Sequence, residues 1–275
     1  MEKVVLVTGG SSGIGKAIAV HLKANGYRVF GASRRAISDD PSGLEYLQMD
    51  VNEEASVQSG IKQLLEITGR LDAVVNSAGL GTIGAVEEMP VDTIKEVFET
   101  NFYGVLRVCQ AVLPIFRKQR SGHIINISSI AGEVSLPFRG FYSASKFAME
   151  AFTEAMRMEV KGFGVKVAII QPGDFNTNIS NSRKNADLKS DSPYSKLINE
   201  MNKLIASGMD SAPTPEVVGE VALKILQADQ PKLRYPVGAF TEKISTKLRK
   251  FLPVRPFERI IMGHYNMLDK EMYEE

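Results

Sequence analysis

Short apolar runs alternate with helical patterns along most of the chain. Residues 4–8, VVLVT, are rich in β-branched side chains and read as a buried strand. Residues 9–15 form a glycine-rich turn. Residues 14–25 then repeat apolar side chains at helical intervals, with Ile18, Ala19 and Leu22 on one face and Gly26 as the stop signal. Strands are predicted next at 28–33 and 44–49, followed by a helix at 53–68 and a strand at 73–76. Two helices are expected at 91–101 and 102–119, a strand at 123–128, a helix at 142–161, and strands at 165–171 and 233–237.

Alternation of this kind implies right-handed crossovers and a parallel sheet. The expected fold class is α/β: one Rossmann-type, doubly wound parallel sheet of about seven strands with helices on both faces, forming a single domain over 1–275. Ligands of such sheets bind beyond the carboxyl ends of the strands. The stretch 176–215 breaks the rhythm. It is polar, with a short helix expected at 195–205, and as a long insertion it reads as a substrate loop or lid overhanging the crevice. Residues 243–275 begin with a basic, partly amphipathic segment, KISTKLRKFLPVRPFER. It reads as a surface helix closing the fold, with membrane-surface contact or a lid over the substrate as the alternatives.

Composition narrows the class. Of the 275 residues, 24% are charged and 44% hydrophobic, which excludes disorder over most of the length. Lys plus Arg number 33 against 32 Asp plus Glu, a net charge of +1, which argues against a nucleic-acid binder working by phosphate neutralisation. The sole cysteine, Cys109, excludes an internal disulfide and Cys-rich metal sites, and it reads as a small core residue. His21, His123 and His264 lack ligand spacing, so no metal is expected. The apolar run at 4–7 is too short for a signal-peptide core, and no stretch nears the roughly 18 apolar residues of a membrane span. A cytoplasmic protein is the expectation.

The turn holds the first candidate chemistry. Gly9, Ser11, Ser12, Gly13, Ile14 and Gly15 join the first strand to the first helix, where glycines let backbone approach a pyrophosphate and the helix N-terminus offers free N–H groups. Their spacing departs from G-x-G-x-x-G. At the end of the second strand, an acidic residue would hold the ribose 2′-hydroxyl of NAD. The chain instead has Ser33, Arg34 and Arg35, and a guanidinium fork suits a 2′-phosphate. The reading is therefore NADP(H) in preference to NAD(H), with solvated surface arginines as the alternative. Asp50, beside Val51, is placed either to accept a bond from an adenine amino group or to cap the next helix.

Tyr142-Ser143-Ala144-Ser145-Lys146 opens a predicted helix and puts phenol and ammonium on one face, about 6 Å apart along the axis. Ionising a free tyrosine at pH 7 costs about 4 kcal/mol, and a neighbouring ammonium lowers that cost. A tyrosine so tuned passes a proton to or from an alcohol oxygen. Alone, Tyr-x-x-x-Lys is common by chance. Here it follows a strand ending Asn126-Ile127-Ser128-Ser129, in a sheet that already carries a dinucleotide turn.

The chain resembles the short-chain dehydrogenase/reductase family. The residues that carry the likeness are Thr8-Gly9-x-x-x-Gly13-Ile14-Gly15, Asn76-Ser77-Ala78-Gly79, Asn101, Ser129, Tyr142-x-x-x-Lys146, and Pro172-Gly173 with Thr177. They stand in the family's order over about residues 1–180. The second motif departs from the usual pattern, with Ser77 where a second Asn is commoner.

The resemblance implies roles. Tyr142 is the acid of reduction and the base of oxidation. Lys146 lowers its pKa and holds the nicotinamide ribose, Ser129 polarises the substrate oxygen, and Asn101 anchors a relay water. Asn76, Ala78 and Gly79 pack beneath the adenosine half, while Pro172, Gly173 and Thr177 orient the carboxamide. Arg34 matches NADP-preferring members. LPFRGFYSASKFA resembles the hydroxysteroid and retinol dehydrogenase branch. That implies a steroid-, retinoid- or lipid-like alcohol or ketone, with Val134, Leu136 and Phe138 on one wall and Phe175 and the lid on the other. A homodimer or homotetramer through helices near 102–119 and 142–161 follows by the same likeness. The alternative is a catalytically silent, NADP(H)-binding regulatory protein.

Overall fold

The structure is a computed structural model, and it describes residues 2–175, 183–185, 192–210 and 213–269. Its strands are β1 (Val4–Thr8), β2 (Arg28–Ser33), β3 (Glu45–Gln48), β4 (Ala73–Asn76), β5 (Gly81–Ile83), β6 (Gly122–Ile127), β7 (Val165–Pro172), β8 (Arg183–Asn185) and β9 (Arg234–Val237). Its α-helices are α1 (Gly13–Ala24), α2 (Glu54–Thr68), α3 (Val91–Phe98), α4 (Val105–Gln119), α5 (Gly140–Val160), α6 (Ser195–Asp210), α7 (Glu216–Gln227), α8 (Phe240–Phe251) and α9 (Val254–His264).

Seven strands form one sheet in the order β3-β2-β1-β4-β6-β7-β9, every pair parallel. Strand side chains alternate between faces, and both faces are covered. Leu6, Val74, Ile124 and Val167 pack on one side with Val57, Leu64, Val112 and Met149 from α2, α4 and α5. Val5, Val7, Val75, Ile125 and Ile170 pack on the other with Ile18, Leu22, Val218 and Ile225 from α1 and α7. The double burial explains why these strands read as near-continuous apolar runs.

The chain runs outward from β1 to β3, then crosses back to lay β4 beside β1. That reversal opens a crevice at the carboxyl ends of β1 and β4. Two further strands, β5 and β8, pair in parallel beside it, and the sequence pattern foresaw neither. The helix expected at 195–205 is present and longer, as α6. Its Ile198, Met201 and Ile205 pack with Ile83 and Tyr265.

The two helices expected at 91–101 and 102–119 form one continuous helical run instead. It passes from α3 through a π-helical stretch, Glu99–Gly104, into α4. The physical reason is tertiary. Asn101, inside the wide turn, is fully buried and bonded to Leu80 and Ser145. Gly104 lies so close to β3's following loop that a Cβ there would meet Val51 Cγ2 at 2.8 Å.

The basic C-terminal segment folds as α8 and α9. Phe257, Leu248, Leu252 and Ile261 pack on Ile130, Val134 and Leu136. No described helix is long and apolar enough to cross a membrane.

Candidate active site

The turn after β1 is shaped by what surrounds it. Gly9 has φ +64°, and a side chain there would meet the Ala78 backbone at 3.0 Å. Gly15 packs on the Gly9 carbonyl with no space for a Cβ. Thr8 Oγ1 accepts the N–H groups of Ser77 at 3.0 Å and Ala78 at 3.2 Å, which holds Asn76 to Gly79 against the turn. Ser12 precedes α1 without a side-chain cap, and no acidic residue stands in the first helical turn. The positive end of α1 is thus left to an anion.

Ser12, Gly13, Ile14, Ala78 and Gly79 border the crevice together with Gly9. Asn76 is buried behind them. Its Nδ2 donates to Asn126 Oδ1 at 2.8 Å, and Asn126 donates to Thr153 Oγ1 at 2.8 Å, tying β4 and β6 to α5. Ser33 Oγ accepts the Arg35 N–H at 3.3 Å. Arg34 and Arg35 are exposed at the end of β2, and among the described residues no carboxylate pairs with either. Asp50 does not cap α2, whose N-cap position is Glu53. Its Oδ1 accepts the Asn52 N–H at 3.0 Å instead.

The far side of the crevice comes from β6, β7 and the start of α5. Ser128, Ser129, Tyr142, Lys146, Pro172 and Gly173 all border it. Lys146 Nζ donates to the Ile127 carbonyl at 2.8 Å and lies 5.8 Å from the Tyr142 ring centroid. Burial brings the Lys146 ammonium down to about 8, against the opposing pull of Glu150. Ser129 Oγ accepts the Ala131 N–H at 3.1 Å and donates to the Pro172 carbonyl at 3.3 Å. Ser128 turns its hydroxyl towards Gly132 and Glu150.

Asn101 uses its whole amide within the protein. Oδ1 accepts the Leu80 N–H at 2.7 Å, while Nδ2 donates to the Leu80 carbonyl at 2.9 Å and to Ser145 Oγ at 3.0 Å. Ser145 in turn donates to the Tyr142 carbonyl at 2.7 Å. The π-helical stretch, the β4 loop and α5 are locked to one another through this side chain.

Three charged side chains at or beside the crevice escaped the sequence reading. The Arg139 guanidinium lies 5.3 Å from the Tyr142 ring centroid, so the phenol has two cations within 6 Å of its ring. Asp174 pairs with Arg139 at 3.5 Å, and both border the crevice. Glu242, from α8, accepts the Asp174 and Ala239 N–H groups at 2.8 Å each. The signal for Arg139 was its place three residues before Tyr142. The wall expected from Val134, Leu136 and Phe138 needs correction. Val134 is buried against Ile130 and Phe257, and Leu136 and Phe138 pack against apolar clusters, leaving Arg139 on the crevice. Phe175 does border the crevice, and Thr177 lies outside the described residues.

The family model described as short chain dehydrogenase matches residues 3–188. The chain belongs to the short-chain dehydrogenase/reductase family. As a family member it is an oxidoreductase with a Rossmann-type, nucleotide-binding sheet. A curated relative, 3-ketodihydrosphingosine reductase of Bacteroides thetaiotaomicron, is 38% identical over 252 residues, covering 91% of this chain and 93% of the relative. The solved structure of a short-chain dehydrogenase from Streptomyces avermitilis superposes with a TM-score of 0.78 at 28% identity, covering 99% of this chain and 95% of that one. A second solved structure, ElxO with NADP bound, gives a TM-score of 0.70 at 25% identity over 86% of this chain and 98% of that one. Solved members of the family's fold thus hold a nicotinamide nucleotide.

Proposed function

We propose that the protein is an NADP(H)-dependent oxidoreductase that interconverts a lipid-like ketone and its alcohol. The observation that carries the reading is Tyr142, seated on the crevice with the Lys146 and Arg139 cations both within 6 Å of its ring, in a crevice that an uncapped helix N-terminus also borders. When bound, a reduced nicotinamide supplies the hydride that adds to the carbonyl carbon. Tyr142 gives its hydroxyl proton to the carbonyl oxygen, and the two cations hold the resulting phenolate. The Ser129 hydroxyl turns from Pro172 to donate to the same oxygen. Lys146, bonded to the Ile127 carbonyl, would hold the nicotinamide ribose. Asn101 holds α5 in register, and the proton relay runs through its main-chain carbonyl because its amide is engaged.

The guanidinium of Arg34, unpaired among the described residues, supports recognition of a 2′-phosphate, with Arg35 beside it. Ser11, Gly13 and the first N–H groups of α1 suit the pyrophosphate. Ser33, Asp50 and Val51 would line the adenosine side, while Gly173 and Thr177 would hold the carboxamide. A lipid-like substrate is supported by the relative named for 3-ketodihydrosphingosine and by the C-terminal helices. From 240 to 268 these helices carry Lys243, Lys247, Arg249, Lys250, Arg255 and Arg259 against Glu242 and Glu258. Phe240 and Phe251 are 74% and 85% exposed. A basic face with exposed aromatics suits an anionic lipid surface from which such a substrate is drawn. The protein would approach that surface from the cytoplasm.

The test is turnover of NADPH with a panel of long-chain ketones, steroids and retinoids. Oxidation of NADPH by a long-chain ketone is expected. A protein that binds NADPH and turns over none of them is a sensor, and the proposal falls.

A further inference from the structure

Beside the crevice the fold carries an ion pair of which the proposed reaction uses only the cation. Arg139 is nearly buried, its side chain only 11% exposed. It sits over the Tyr142 ring on one side and meets the Tyr265 hydroxyl from α9's end on another. Burying a guanidinium is costly unless it is paired and hydrogen-bonded. Its carboxylate partner is Asp174, 3.5 Å away, and that side chain is 44% exposed. One guanidinium therefore joins the acid/base phenol to a carboxylate that opens on the same crevice.

Asp174 is also held in place. Its N–H is taken by Glu242 Oε1 at 2.8 Å, and the Glu242 carboxylate packs directly on Gly173. Glu242 thus fixes the Asp174 backbone while Arg139 takes its side chain. A carboxylate offers about four acceptor sites, and Asp174, which borders the crevice and is 44% exposed, keeps sites beyond its contact with Arg139 for a ligand. An apolar wall would serve a plain hydrocarbon ketone better than a fixed ion pair. Among the described residues, Arg139 is the one cation paired with Asp174.

We propose that the Arg139–Asp174 pair is a head-group subsite, in which Asp174 takes the ammonium of a ketone bearing a protonated amine next to its carbonyl. This rests on the ketone-reductase reading above. Arg139, 3.5 Å from Asp174 and 5.3 Å from the Tyr142 ring centroid, holds the carboxylate on the same side of the crevice as the phenol, where an amine on the carbon next to the carbonyl would meet it. The ammonium then fixes which face of the carbonyl meets the hydride.

The experiment compares three ketones of one alkyl length with NADPH: the 2-amino-3-ketone, its N-acetyl derivative and the deamino ketone. The wild-type kcat/KM is expected to favour the amine over the N-acetyl form by about tenfold or more, the size of a charge-assisted hydrogen bond. Asp174→Asn should bring that ratio towards one, and Asp174→Glu should retain part of it. Equal kcat/KM for all three in the wild type, or a ratio unchanged by Asp174→Asn, overturns the subsite and leaves the reductase reading intact. Absence of turnover with every ketone overturns both. Should Asp174→Asn not fold, inhibition of the wild type by a long-chain amine against the matching alcohol decides. Stronger inhibition by the amine supports the subsite, and equal inhibition refutes it.

Discussion

At the scale of single residues, the site is a matter of which charges are left without partners inside the protein. Lys146 is buried to the point that its ammonium sits near 8, against an ordinary value of 10.5. Its positive charge is therefore present below about pH 8 and lost above it. The phenolate of Tyr142 loses one of its two supporting cations in that range. For ketone reduction, kcat/KM, which reports the free enzyme, should hold level below pH 8 and fall above it. A profile level to pH 10 would show that Lys146 does not support the tyrosine. Arg34 is the opposite case, exposed and unpaired among the described carboxylates. Arg34→Ala should weaken NADPH by about tenfold and NADH little, because one charge-assisted contact to a 2′-phosphate is removed. Titration of both nucleotides checks this, and equal losses would contradict it. The Tyr-Lys pair and the arginines were legible because each carries its own spacing or position signal. Asp174 and Glu242 were not, since a carboxylate in a loop and one in a basic helix mean nothing until the fold brings them to Gly173.

Elements were legible where one face is strictly apolar. The strands around β1 are buried on both faces and stand out as unbroken runs. The pair β5–β8 was hidden because Gly81–Ile83 is too short to show a period and its partner lies far along the chain. The π-helical stretch at Glu99–Gly104 was hidden for another reason: its cause is the grip of Asn101 on Leu80 and Ser145, not anything in its own sequence. Beneath the catalytic turn of α5, Arg234 from β9 bridges Glu150 at 2.8 Å and Glu154 at 2.8 Å, with Glu133 at 3.5 Å. Burial pushes the Glu150 carboxyl up, and bonds from Gln171 and Arg234 oppose it. Arg234→Ala leaves that buried carboxylate without its cation and should cost about 3 kcal/mol at neutral pH, measured by urea denaturation. In the variant Glu150 holds its proton when folded and releases it when unfolded, so stability should fall as pH rises from 5 to 8. A loss under about 0.5 kcal/mol, as for an exposed pair, would show that the network does not anchor β9 to α5.

At the scale of the whole molecule, charge is divided unevenly. The chain is almost neutral overall at +1, yet its C-terminal helices are strongly basic and expose Phe240, Phe251 and Ile260. That asymmetry was visible in the sequence, whereas the packing of Tyr265 and Phe257 behind the active-site loop was not. Vesicles rich in anionic phospholipid should co-sediment the protein, neutral vesicles should not, and salt should release it. No binding to either kind would separate substrate delivery from these helices. Exposed Tyr103, Phe147 and Met158, on the π-helical stretch and α5, suit a contact between copies of the chain. The account as a whole depends on a tyrosine that moves a proton while a bound nucleotide moves a hydride. Its most direct test is Tyr142→Phe, assayed with NADPH and a long-chain ketone alongside a fluorescence titration of NADPH. The prediction is near-normal nucleotide binding with turnover reduced on the order of 100-fold or more; turnover close to that of the wild type would contradict it.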